Sequence, residues 1–126
     1  MKIIAFAASS SSKSINKQLV RYAASLLENI TVEVLDLNDY ELPLFSEDRE
    51  IELGQPGLAE KFFDKIGHCD GLIISFAEHN GSYTAAYKNL FDWCSRIDSK
   101  VFQNKPLVLL STSPGARGGA SVLKQA

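Results

Sequence analysis

Between residues 9 and 14 the chain carries five serines and a lysine, Ser9-Ser10-Ser11-Ser12-Lys13-Ser14, followed by Ile15 and Asn16. Hydroxyls and backbone amides gathered at the start of a helix make a cradle for an anion, because the helix dipole is positive there and its first amides lack partners. The run contains neither the GxxxxGK[ST] of a P-loop nor the GxGxxG of a dinucleotide fingerprint. No cysteine stands at phosphatase-loop spacing from an arginine, and no acidic pair of the response-regulator kind follows the first apolar run. What remains is a set of neutral donors, which suits a monophosphate. A serine cluster also marks any solvated turn, and composition alone leaves the two readings level.

Two later segments belong to the same inquiry. Ala77-Glu78-His79-Asn80-Gly81-Ser82-Tyr83 and Ser111-Thr112-Ser113-Pro114-Gly115-Ala116-Arg117-Gly118-Gly119 each begin where an apolar run ends. Their glycines let backbone approach a flat ligand without a Cβ in the way. Asn80, compact and polar beside Gly81, is a binding candidate. His79 is a weak candidate for proton donation, the plainer reading being a polar loop residue. His68 reads as solvent-facing near a helix end. Cys69 and Cys94 stand in no CxxC or metal-type spacing, so they read as small buried hydrophobes in a reducing, cytoplasmic compartment.

The elements that position these segments follow from periodicity. Lys2 to Ala7 is a continuous apolar run, expected of a central strand covered on both faces. Ser14 is a candidate N-cap for a helix to about Glu28, with Leu19, Val20, Ala23, Ala24, Leu26 and Leu27 at helical spacing. Asn29 offers a stop. Thr31 to Asp36 alternates as a second strand. Leu37 to Gln55 reads as a long, mostly irregular excursion. Pro56 and Gly57 precede a helix burying Leu58, Phe62, Phe63 and Ile66, with Gly67 to end it. Gly71 to Phe76 is a third strand, and Ser82 to Arg96 a helix in which Phe91 reads as core and Trp93 as either core or a subunit contact. Leu107 to Ser111 is a fourth strand, and Ala120 to Lys124 starts a further helix. Alternating strands and helices imply a parallel sheet with helices on both faces and ligands beyond the carboxyl ends of the strands.

Composition removes several classes. A chain of 126 residues with 45% hydrophobic and 22% charged residues reads as one soluble domain able to bury a core. A net charge of −2 gives no electrostatic footprint for nucleic acid or an anionic membrane. The longest apolar runs fall well short of the ~20 residues that span a bilayer.

The three segments together resemble the NADPH-dependent FMN reductase family. Residues 8 to 16 are similar to its G-S-x-R-x-x-S-x-N phosphate loop. Residues 77 to 83 with Lys88-Asn89-Leu90-Phe91-Asp92-Trp93 are similar to its P-E-Y-N-x-S-x-P…K-N-x-x-D-W segment. Lys105-Pro106 and residues 111 to 119 are similar to its K-P…S-x-G-x-x-G-G segment, so the likeness runs the length of the chain in order. It departs at Ala8, Ser11, Ala77 and His79, which replace the family's Gly, Arg, Pro and Tyr. Ser11 removes a charged contact to the phosphate or to an incoming nicotinamide dinucleotide.

The resemblance implies an α/β, flavodoxin-like, doubly wound parallel sheet of order 2-1-3-4(-5). It makes residues 1 to 126 a single FMN-binding domain whose fifth strand and last helix lie elsewhere in a longer polypeptide. It also implies FMN as cofactor, with Ser9, Ser11, Ser14, Ile15 and Asn16 at the phosphate. Glu78, His79, Asn80, Gly81 and Ser82 would lie along one edge of the flavin ring, and Ser113, Gly115 and Gly118 along the other. Hydride would pass from NADPH or NADH to flavin N5 and on to a quinone, azo, nitroaromatic, free-flavin or metal-ion acceptor, with no catalytic side chain and no resident metal. Leu42-Pro43-Leu44-Phe45 resembles the family's L-P-L-[FY] segment near a dimer contact, which implies a homodimer or dimer of dimers. A flavin-binding electron carrier and a degenerate domain without flavin are the alternatives.

Overall fold

Among the described residues four parallel strands form one sheet: β1 (Lys2–Ala8), β2 (Thr31–Leu35), β3 (Gly71–Phe76) and β4 (Leu107–Ser111), in the order β2-β1-β3-β4. The order is the one expected of a flavodoxin-like sheet. A computed structural model of the chain describes residues 1–9, 11, 14–77 and 83–112. The helix expected at Ala120 lies outside those residues. Among the described residues four α-helices connect or flank the strands: α1 (Ile15–Ser25), α2 (Glu47–Leu53), α3 (Gly57–Gly67) and α4 (Ala85–Ser95).

The sheet is covered on both faces, as the largely apolar, buried strands β1 and β3 require. On one face Ala5, Ala7 and Ile73 pack with Val20 of α1, and Ala23 and Leu27 complete the layer. On the other, Ile4, Phe6, Ala8, Leu72, Ile74 and Phe76 meet Phe62 and Ile66 of α3 and Leu90, Trp93 and Cys94 of α4. Phe62 stands edge-on to Phe6 and to Tyr40, with ring centres 5.4 and 5.1 Å apart, an arrangement that adds quadrupole attraction to burial. β4 forms one edge of the described sheet, with Leu107 and Val108 exposed.

Several expectations need correction, among them Leu58, which is exposed rather than on the buried face of α3. α1 ends at Ser25 rather than Glu28, because Leu26 and Leu27 donate to Ala23 and Ala24 in a tightened last turn and Asn29 takes a left-handed φ of 58°. Leu26 is consequently exposed rather than buried. The excursion after β2 is more ordered than its composition suggests. Asp36 caps a 3-10 turn over Leu37–Tyr40, and Ser46 caps α2 by accepting from the Arg49 amide. Glu47, Asp48 and Glu50 then lie in the first turn of α2, where the dipole favours them. Gly67 does not terminate α3 as a C′ residue; the helix runs through it and His68 is the C-cap. A Cβ at Gly67 would stand 3.0 Å from Gln103 Oε1, and the Gln103 side chain in turn donates to the Phe63 carbonyl. Close packing of that loop on the helix explains the glycine.

Candidate functional site

The last residues of β1, β3 and β4 stand in one row. Ala8 pairs with Phe76 and Phe76 pairs with Ser111. The serine-rich turn, the segment starting at Ala77 and the segment starting at Thr112 therefore leave the sheet side by side at its carboxyl edge, where open α/β sheets bind ligands.

At the first of these exits, Ser9 and Ser14 are only 7% and 9% exposed. Ser9 Oγ accepts from the Ser11 amide at 3.1 Å, which shapes the turn. Ser14 Oγ accepts from the Lys17 amide at 3.3 Å, the N-cap expected of it. A hydroxyl whose oxygen accepts from a local amide still carries a proton to donate. The amides of Ile15 and Asn16 open α1 and have no intrahelical acceptor, and the first turn holds no acidic residue to repel an anion. Lys17 at this helix start is neutralised by Asp36, at 2.8 Å. The Lys17 ammonium and, next, the Asn38 amide hold the Asp36 carboxyl below its ordinary range. The described rim is thus neutral and rich in donors. Ile15 is exposed beside it.

At the second exit, Thr84 is buried, caps α4 by accepting from the Tyr87 amide at 3.3 Å, and donates to the carbonyl of Ala8 at 3.0 Å. One hydroxyl thus ties the start of α4 to the end of β1. At the third exit, Thr112 is held by the side chain of Asn16, which donates to its carbonyl and accepts from its amide, both at 3.0 Å. Asn16 Oδ1 also accepts from Ser75 Oγ at 2.7 Å.

Of the residues singled out in sequence, Ser9, Ser11, Ser14, Ile15 and Asn16 are brought together at the head of α1. Glu78, His79, Asn80, Gly81, Ser82, Ser113, Gly115 and Gly118 lie outside the described residues. Trp93 is core rather than surface: it is fully buried, its indole donates to the Pro43 carbonyl at 2.8 Å, and Phe45 packs edge-on against it. Phe91 packs against the same core, beside Tyr87 and Phe102. His68 is exposed. Both cysteines are buried, and burial pushes the Cys94 thiol up to about 12. Among the described residues no group of His, Cys, Asp or Glu is placed to hold a metal ion, and no helix is long and apolar enough to cross a membrane.

A relation invisible in sequence joins two of its motifs. Asn89, in the Lys88–Trp93 motif, accepts from the Phe45 amide at 2.8 Å and donates to the carbonyls of Leu42 and Pro43 at 3.3 and 3.1 Å. Asn89 and Trp93 lie one helical turn apart on α4 and together grip the backbone of Leu42 to Phe45. Side chains four residues apart on a helix share a face, but nothing in either motif names the other as its partner.

A family model described as NADPH-dependent FMN reductase matches residues 1–126. The chain belongs to that family. Among relatives, an NAD(P)H-dependent FMN reductase of Pseudomonas aeruginosa is 31% identical over 121 residues, which are 95% of this chain and 64% of the relative. An NADPH:quinone oxidoreductase of Arabidopsis thaliana is 31% identical over 125 residues, 96% of this chain and 62% of the relative. Among solved structures, the flavoenzyme NAD(P)H:(acceptor) oxidoreductase FerB of Paracoccus denitrificans superposes with a TM-score of 0.81 at 26% identity, covering 98% of this chain and 67% of that one. The chain therefore spans less than two thirds of the length of these two curated relatives.

Proposed function

We propose that the full-length protein is an FMN-dependent oxidoreductase that takes hydride from NADPH or NADH and reduces a small acceptor, a quinone foremost. The observation that carries this reading is the row Ala8–Phe76–Ser111, which sets the starts of the three motif-bearing segments side by side. The donor set suits the cofactor's phosphate: hydroxyls of Ser9 and Ser14 that are nearly buried, the opening amides of α1 and a neutralised lysine. Ser9, Ser11, Ser14 and the amides of Ile15 and Asn16 bind the phosphate. Glu78, His79, Asn80, Gly81 and Ser82 on one side, and Ser113, Gly115 and Gly118 on the other, border the ring.

When bound, FMN supplies hydride uptake from the dinucleotide and its return to the acceptor. The chain's residues bind and orient the cofactor, exclude water from the ring face and direct amide dipoles at its polar edge. No catalytic side chain is needed for this chemistry. Relatives named as quinone reductases support the choice of acceptor. We place a second copy of the chain over Leu44, Ile51 and Leu53, which are 69%, 84% and 59% exposed; light scattering of the full-length protein checks this homodimer.

The test of function is a reconstitution. Full-length protein is loaded with FMN, freed of excess, and mixed anaerobically with NADPH or NADH. Bleaching of the visible band, restored by adding a quinone, is the expected result. A yellow protein that neither dinucleotide bleaches is an electron carrier, and a protein that retains no FMN is a degenerate domain; either overturns the proposal.

A further inference from the structure

Asn16 is 2% exposed, and its side-chain amide is committed to protein partners on β3 and just past β4. Its Oδ1 accepts from Ser75 Oγ of β3 and from the amide of Thr112, the first residue past β4, and its Nδ2 donates to the Thr112 carbonyl. Among the described residues, both lone pairs of the oxygen are engaged and one of two amide hydrogens is used. The side chain pairs with Thr112 as a neighbouring strand would, closing the backbone of β4 where the sheet itself stops. Only a primary amide of this length offers an acceptor for two donors and a donor for the carbonyl. Aspartate would set a carboxylate against that carbonyl, and alanine would strand the buried Ser75 hydroxyl and the part-buried amide and carbonyl of Thr112.

We infer that Asn16 is a positioning residue: its side chain latches Thr112, where the chain leaves β4, to the head of α1 and to β3, fixing the spacing between the points from which the serine-rich segment and the Thr112 segment start. The inference rests on the FMN reading proposed above, in which those two segments hold the phosphate and one side of the ring. The side chain, as distinct from the Asn16 backbone amide, then acts on flavin affinity through loop placement and not through the phosphate.

The test compares wild-type full-length protein with Asn16→Ala and Ser75→Ala. Affinities for FMN and for riboflavin, which lacks the phosphate, are read from flavin fluorescence, and exchange of the Thr112 amide from NMR. Asn16→Ala weakens both ligands by the same factor, about tenfold, and speeds Thr112 exchange by about tenfold or more. Ser75→Ala removes one donor to Oδ1 from within the sheet and moves both affinities in the same direction by roughly threefold; it carries the test if Asn16→Ala fails to fold. A loss confined to FMN makes Asn16 a phosphate ligand and overturns the inference. So do unchanged affinities for both ligands with faster Thr112 exchange, which would make the latch purely structural. If the wild type binds neither flavin, the FMN reading falls by itself, and Thr112 exchange alone decides whether the latch exists.

Discussion

Replacing Asn89 by alanine should loosen the whole crossing between β2 and α2. The side chain accepts from the Phe45 amide at 2.8 Å and donates to the carbonyls of Leu42 and Pro43. The Pro43 carbonyl keeps a second donor, the Trp93 indole at 2.8 Å, so its loss is partial. The Phe45 amide has no such reserve on α4, and a buried donor left unsatisfied costs about 1–3 kcal/mol. Because the site is only part-buried, we expect about 2 kcal/mol for Asn89→Ala, a roughly thirtyfold fall in the folded-to-unfolded ratio. Trp93→Phe, which keeps most of the ring volume and loses the indole donor, should cost about 1–2 kcal/mol. Only the double variant leaves the Pro43 carbonyl with neither donor, so its cost should exceed the sum of the single ones by about 0.5–1 kcal/mol. Urea unfolding of the flavin-free full-length protein reads all three, as a fall in midpoint of about 1–2 M for Asn89→Ala at unchanged m. A change below about 0.5 kcal/mol for Asn89→Ala, or strict additivity in the double variant, would refute the grip that α4 is argued to exert.

Other consequences follow from the same geometry. Ser14→Ala removes the α1 cap and should cost about 1 kcal/mol of stability, while weakening FMN more than riboflavin in a fluorescence titration. Asp36 has a lowered pKa in the folded state, so its pairing with Lys17 stabilises above the ordinary carboxylate range and is lost as pH falls through the depressed value. Asp36→Asn keeps the cap on the 3-10 turn but discharges the pair. It should therefore cost no more than about 0.5 kcal/mol at neutral pH, given the partial exposure, and flatten the acid limb of a stability-against-pH curve. Cys69 and Cys94 are buried and burial raises both thiols, so neither should react with a thiol reagent at pH 8 until the protein unfolds.

The sheet was legible because its signals are local and redundant. β1 and β3 are mostly apolar, and the cap at Ser14 and the exits at Ala77 and Thr112 follow from a few neighbouring residues each. α2 was not legible because it buries nothing: without an apolar face a helix leaves no 3.6-residue pattern, and only Ser46 and the acidic first turn betray it. Gly67 looked like a helix stop because glycine favours that place, whereas its neighbour Gln103 lies 36 positions away in the chain. The Asn16 latch and the Asn89–Trp93 grip were hidden for the same reason. An asparagine's partner depends on which backbone the fold delivers to it, and those partners are Thr112 and Ser75 in one case and Leu42 to Phe45 in the other. The site itself was legible in outline, since its three exits are motifs. Which side chains face a ligand and which hold the frame required the fold.

The central claim is that the neutral, hydroxyl-rich head of α1 is the seat of the FMN phosphate. A crystal structure of the full-length protein with FMN tests it most directly. The account predicts phosphate oxygens within hydrogen-bond distance of Ser9 Oγ, Ser14 Oγ and the opening amides of α1, with the Asn16 side chain still joined to Thr112 and Ser75. A phosphate seated elsewhere, or an Asn16 amide turned away from Thr112 to meet it, would contradict the account.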